Sequence, residues 1–182
     1  APEYMFDNLL RTDDERNEAN GYAAFDDAFE KEIKPLHESG AMSDQAFELL
    51  RKRAYEDGMA EGIGNKASYF SFLRNLQNTH QRGTHVMIDG NDFKSINDLL
   101  SHAHGDQAIR MYGQAFRRAV DNGIGRENVK MHRFGGDEFH FWVKELPGES
   151  PDQHNAKVAR VLRDMRSEIE KAMPPDAFPQ LN

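Results

Sequence analysis

The stretch Val129–Val143, VKMHRFGGDEFHFWV, decides the fold. Val129 to Phe134 and Phe139 to Val143 are two β-type runs, and Gly135-Gly136-Asp137-Glu138 between them predicts a β-hairpin with its tip at the glycines. Phe139, Phe141 and Trp142 are expected in the core and on the sheet face. Upstream, Thr84–Asp89 (THVMID) is a short β-type run ending abruptly in Asp-Gly-Asn-Asp, a strand followed by a turn. Two acidic clusters therefore lie at turns on the edge of one sheet: Asp89 with Asp92, and Asp137 with Glu138. A strand ending in Asp beside a hairpin tip carrying Asp-Glu is the layout expected where carboxylates converge on Mg²⁺. That ion takes one or two carboxylates together with waters and phosphate oxygens. Gly90 lets the backbone offer its carbonyl to such an ion, and Gly135 and Gly136 let the hairpin come near a bulky ligand. Asp-Gly and Gly-Gly-Asp are also common turn sequences, so either cluster alone fits a plain turn at least as well.

Helical segments surround these strands. Ala24, Phe25, Ala28, Phe29, Ile33 and Leu36 recur at three- and four-residue steps and draw an apolar stripe along one helix, which Pro35 should kink or end. Gly40 closes that segment. Ser43 is the expected N-cap of a second helix carrying Phe47, Leu50 and Ala54, which makes residues 1–57 a helical hairpin. Its stripe is expected to pack on the main domain or on a second copy. Glycines at 58, 62 and 64 mark a loop, and Asn65–Gln77 then has helical spacing through Tyr69, Phe72, Leu73 and Leu76. Phe93–Leu100 predicts a short helix, and Asp106–Asn122 a longer one with Ile109, Tyr112, Phe116 and Ala119 on one face. Ser150-Pro151-Asp152-Gln153 is a helix start: a cap, Pro at N1 and Gln at N3 completing a capping box. That helix should run to about Ala172. The expected organisation is a helical extension over 1–57, a main domain over 58–172 and a Pro-rich tail over 173–182.

The chain has 182 residues, enough for one domain with a helical extension. Thirty-one Asp and Glu against 23 Lys and Arg give a formal charge of −8. That balance argues against coating a nucleic-acid polymer, whose binding draws on phosphate neutralisation. It leaves room for a small anionic substrate brought in with a divalent cation. Cysteine is absent, which excludes disulfides, zinc–thiolate sites and thiol nucleophiles. No apolar run exceeds five residues even when the interruption at His140 is allowed, far below the ~20 that span a membrane. No basic-then-apolar leader opens the chain, which begins with Ala1 as a processed chain or a piece of a longer one does. These features read as a soluble, acidic, cytoplasmic protein.

Arg133–Phe139, RFGGDEF, resembles the signature of the GGDEF family, the diguanylate cyclases. Residues 87–106, MIDGNDFKSINDLLSHAHGD, resemble the family's other hallmark: a strand-end Asp, then Phe-Lys, Ile-Asn-Asp, a His and a Gly-Asp at fixed intervals. Residues 62–66, GIGNK, resemble its Gly-Leu-x-Asn-Arg block, so three blocks stand in the family's order over about 58–172. The resemblance implies an α/β (α+β) fold with a palm-like, mostly antiparallel central sheet and flanking helices. It implies Asp89 and Asp137 as metal-binding carboxylates with the Gly90 carbonyl, and Glu138 beside the reacting hydroxyl or a second metal. Asn97 and Asp106 would read the guanine edge, Lys94 and the backbone of Asp92 and Phe93 would meet the triphosphate, and Gly135 and Gly136 would make room for the nucleotide. The implied reaction condenses two GTP into cyclic di-GMP with loss of two pyrophosphates, using Mg²⁺ or Mn²⁺. One site holds one GTP, so two copies would face each other as a homodimer. Without the resemblance, Asp106 reads as the N-cap of the helix that follows it. On the same footing Asn97 and Lys94 are surface residues, His102 is a structural histidine, and Arg117-Arg118 is a charge pair on a solvated face.

Several positions depart from the family pattern. Asn91 stands where a second acid is usual, Gly58 where an Asp usually opens the Gly-Leu-x-Asn-Arg block, and Lys66 where that block ends in Arg. The family's product-inhibition pair, Arg-x-x-Asp, is matched by Arg126-Glu127-Asn128-Val129, which lacks the acid, so weak feedback is expected. Family members continue beyond the helix matching 151–172 with another central strand and a helix whose basic residues hold phosphates. Here a Pro-rich stretch to Asn182 follows instead. The leading expectation is a diguanylate cyclase. The alternatives are a catalytically silent relative acting as a GTP or cyclic-dinucleotide sensor or docking module, and a palm-type nucleotidyltransferase in a larger polyprotein.

Overall fold

The computed structural model describes residues 13–89 and 105–172, and of residues 105 and 106 the backbone alone. The expected helix Phe93–Leu100 and the Pro-rich tail lie outside the described residues. The described chain falls into two compact units, one within residues 1–56 and 64–81, the other within 57–63 and 82–182.

The first unit is helical: α1 (Asp13–Ala28), a π-helical turn (Phe29–Ile33), α2 (Lys34–Glu38), α3 (Asp44–Tyr55) and α4 (Lys66–Thr79). Pro35 sits in the first turn of α2, where its missing N–H leaves no bond unmade. The π turn just before it takes up the break in the helix. Ser43 caps α3 as expected, its Oγ accepting the Ala46 N–H at 3.1 Å. Asn65 caps α4, its Oδ1 accepting the Ser68 N–H at 3.0 Å. The apolar stripe needs correction. Phe25 and Leu36 stay 44% and 43% exposed and Leu50 39%, whereas Ala19 and Phe29 are buried. The inward face of α1 carries Asp26, which accepts the Tyr55 hydroxyl at 2.6 Å and lies 3.3 Å from Arg74 Nη1. Arg74 Nη2 also reaches Asp27 at 3.1 Å. A satisfied polar cluster sets the rotation of the helix, and a count of apolar positions does not register it.

The second unit is built on β1 (Gly83–Ile88), α5 (Gly105–Asn122), β2 (Val129–Gly135), β3 (Glu138–Lys144) and α6 (Pro151–Ala172). Among the described residues the sheet is three-stranded and antiparallel, in the order β1-β3-β2, and with its helices it gives the α+β architecture expected. The hairpin is tighter than its sequence suggests. Gly135 pairs with Glu138, leaving Gly136-Asp137 as a two-residue loop, and φ is 143° at Gly135 and 52° at Gly136, values glycine takes without strain. Because Val86 and Met131 both pair with Phe141, alternate residues of the three strands share one face. That face carries Ile88, Phe139, Phe141, Val143, Val129 and Met131, and packs against α5 and α6.

Phe116 on α5 lies at the centre of this core, fully buried and edge-on to Phe139 at 5.0 Å and Phe141 at 4.9 Å. Tyr112 and Ala119 are buried on the same face, as their spacing predicts, and Phe139, Phe141 and Trp142 are buried too. Gly113 lets α5 approach Ala60 closely: a Cβ there would come within 2.9 Å of the Ala60 Cβ. The capping box of α6 forms in full, with Gln153 N–H donating to Ser150 Oγ at 3.1 Å and Ser150 N–H to Gln153 Oε1 at 2.9 Å. The expected solvated Arg117-Arg118 pair divides. Arg118 is exposed and meets Glu168 at 3.2 Å, but Arg117 is half-buried against Gly62, where an added Cβ would sit 2.7 Å from Nη1.

Candidate active site

Antiparallel pairing alone carries the acids to one end of the sheet. Ile88 pairs with Phe139, so Asp89, the next residue after β1, comes level with Glu138 on β3. Asp137 occupies the adjoining hairpin loop. Asp89 and Asp137 are half-buried and Glu138 is exposed. Burial first, and the charge of Asp137 second, push the pKa of the Tyr112 hydroxyl on α5 up to about 12. Among the described residues no atom lies within 4 Å of a Cβ built on Gly135 or Gly136.

Gly90, Asn91, Asp92, Phe93, Lys94, Asn97, His102 and His104 lie outside the described residues. Asp106 falls in the first turn of α5, which begins at Gly105, and not ahead of the helix as an N-cap would. Its side chain is outside the described residues. Among the described residues no three His, Asp or Glu side chains form a metal cluster. Asp89 and Asp137 are a pair of hard oxygen donors on neighbouring strand ends, a set that fits a hard divalent cation completed by waters and phosphate oxygens.

Sequence reasoning missed the group that fastens the hairpin tip. Arg133 on β2 donates from Nη1 to both Asp57 carboxylate oxygens, at 3.0 and 3.2 Å, and from Nε to the Gly136 carbonyl at 2.9 Å. Asp57 Oδ2 also accepts the N–H groups of Met59 and Ala60, at 3.0 and 2.7 Å. The pair is well buried, with side-chain exposures of 11% and 9%. Gly58 stands where the Gly-Leu-x-Asn-Arg block usually opens on an acid, and the carboxylate that bonds Arg133 belongs to Asp57, one residue earlier. The turn at 57–63 and the loop holding Asp137 are thereby tied through one guanidinium. A residue count fixed on Gly58 hides this; the signal that finds it is a buried arginine needing an acid.

Residues 55–178 match the family described as "Diguanylate cyclase, GGDEF domain". The chain belongs to the GGDEF family. This GGDEF chain is similar to the diguanylate cyclase DgcS of Shewanella oneidensis, 27% identical over 60% of this chain and 36% of that protein. It is similar to the probable diguanylate cyclase DgcC of Escherichia coli K12, 33% identical over 64% of this chain and 31% of that protein. It thus spans about a third of the length of these curated relatives. A solved structure of the diguanylate cyclase SiaD in complex with its activator SiaC from Pseudomonas aeruginosa is similar at a TM-score of 0.44 and 19% identity, over 89% of this chain and 66% of that one. No described helix of the GGDEF chain is long and apolar enough to cross a membrane.

Proposed function

We propose that the sheet end carrying Asp89, Asp137 and Glu138 binds GTP with Mg²⁺ or Mn²⁺ and condenses two GTP into cyclic di-GMP, one held by each of two facing copies. Family membership supports the reaction class. The observation that carries the reading is the register that levels Asp89 with Glu138 and sets Asp137 in the adjoining loop. Asp89, the Gly90 carbonyl and Asp137 would hold the ion, which when bound offsets charge on the attacking and leaving oxygens. Each 3′-oxygen forms a bond to the α-phosphorus of the other GTP, the bond to pyrophosphate breaks, and the hydroxyl gives up its proton. Glu138, exposed at the tip, serves that hydroxyl. Asn97 and Asp106 read the guanine, and Lys94 with the backbone of Asp92 and Phe93 steadies the triphosphate. Gly135 and Gly136 make room for the nucleotide, while Arg133 ties the tip to Asp57.

Incubating the protein with Mg²⁺ or Mn²⁺ and GTP, and separating products by chromatography, tests this directly. Cyclic di-GMP should form, and Asp137→Ala should slow it by at least about a hundredfold, the scale of losing one group that stabilises transition-state charge. Nucleotide bound without turnover would make the chain a silent sensor; no GTP bound at all would contradict the reading.

Feedback by the product through Arg126 is proposed to be weak. Arg126 already donates from Nε and Nη2 to the two oxygens of Asp121, at 2.6 and 2.8 Å. These hydrogen bonds hold the Asp121 carboxyl below its usual range. The companion acid's place is taken by Val129, which is buried and pairs with Val143 in the sheet. Calorimetric titration with cyclic di-GMP should show no tight binding that depends on Arg126. Tight binding abolished by Arg126→Ala would show the opposite.

A further inference from the structure

Three histidines, one per strand, form a hydrogen-bonded row on the sheet face opposite α5 and α6. His85 Nδ1 on β1 lies 2.9 Å from His140 Nε2 on β3, and His140 Nδ1 lies 3.0 Å from His132 Nδ1 on β2. His132 and His140 are directly opposite in the register, both are buried, and Phe134 stacks on His140 with the rings 5° apart. Each N···N contact takes one N–H and one lone pair, so counting hydrogens orients the row. Running from His85 to His132, His85 and His140 carry their hydrogen on Nδ1 and His132 carries its own on Nε2. Run the other way, the row would leave an N–H on His85 Nε2, which is buried and makes no hydrogen bond among the described residues. A buried orphan donor is the costlier fault, so the first direction holds.

In that arrangement one ring nitrogen in the row still has an open lone pair: His85 Nε2. A proton added to either other ring would set two N–H groups face to face. Among the described residues the charged group bearing on the row is Lys130 on β2, which acts on His132. Lys130 opposes protonation; Glu138 stands exposed at the far end of β3. We propose that the His85–His140–His132 row is an acid latch: with three neutral rings it clamps the strands, and a proton taken up at His85 Nε2, which leaves both N···N bonds in place but sets a charged donor without an acceptor among the described residues inside the sheet face, opens to water the sheet that carries Asp137 and Glu138. The latch belongs to the sheet and holds whether or not the site turns over GTP.

Burial lowers the folded-state pKa of His85, and takes that of His132 down to about 3. Below the ordinary value near 6.5 the unfolded chain therefore binds more protons than the folded one, so stability is complete above that pH and falls as pH falls. His85 and His132 together lower the folding equilibrium constant by up to about a hundredfold per pH unit in that window. Two measurements on the full chain decide the matter. Imidazole ¹⁵N spectra at pH 7.5 should show His85 and His140 protonated on Nδ1 and His132 on Nε2. Reversed tautomers, or a charged His85 or His132 in fully folded protein at pH 6, would overturn the latch. Urea titrations at pH 6.5 and 5.5 should show the ratio of folding constants shrinking by up to about tenfold in His85→Gln. An unaltered ratio in His85→Gln would likewise overturn it, and should that variant not fold, the wild-type spectra decide alone.

Discussion

Phe116→Ala is expected to destabilise the sheet-bearing unit by about 3–5 kcal/mol, the range for emptying a core aromatic site. The ring is fully buried and stands edge-on to Phe139 and Phe141 with interplanar angles of 73° and 77°. Such contacts add about 0.5–1.5 kcal/mol each beyond area burial. The site cannot readily collapse, because α5 is already pressed against Ala60 through Gly113. In urea the midpoint should fall with little change in slope. Leu49→Ala, at a side chain 54% exposed, should stay within about 0.5 kcal/mol of wild type. Equal losses in the two variants would mean that α5 does not pack on the sheet as described.

Arg133→Met should cost a comparable amount, about 3–5 kcal/mol, because it strands a buried carboxylate on Asp57. Among the described residues only the Met59 and Ala60 N–H groups would remain to satisfy that charge. Pairing it with Asp57→Asn should recover part of the loss, and a double-mutant cycle by urea unfolding reads the coupling. Arg133→Lys should not rescue, since an ammonium cannot present the planar fork that reaches Asp57 and the Gly136 carbonyl together. Additive single-mutant effects would mean that the pair does not hold the tip.

The local signals in the sequence were reliable where the physics is local. A glycine tip between two β-type runs, the Ser43 cap and the Ser150–Gln153 box each depend on residues within a few positions of one another, and each forms. The face of α1 was misjudged because Asp26 turns inward to partners 29 and 48 residues away. The Asp57–Arg133 tie spans 76 residues, and a one-residue offset in the loop disguised it. The histidine row escaped notice for the same reason. His132 and His140 follow from the hairpin register, but His85 joins them only through pairing of β1 with β3. At the site, the strand-end position of Asp89 and the tip position of Asp137 and Glu138 were legible from turn chemistry. Their arrival at one end depends on non-local strand order.

Crystals grown with Mn²⁺ and a non-hydrolysable GTP analogue, with the metal located by its anomalous scattering, give the most direct test. The account predicts a peak within bonding distance of both Asp89 and Asp137, about 2.0–2.3 Å from their oxygens for a hard divalent ion, with the analogue's phosphates against it. A nucleotide seated elsewhere, or a peak that touches neither aspartate, would contradict it.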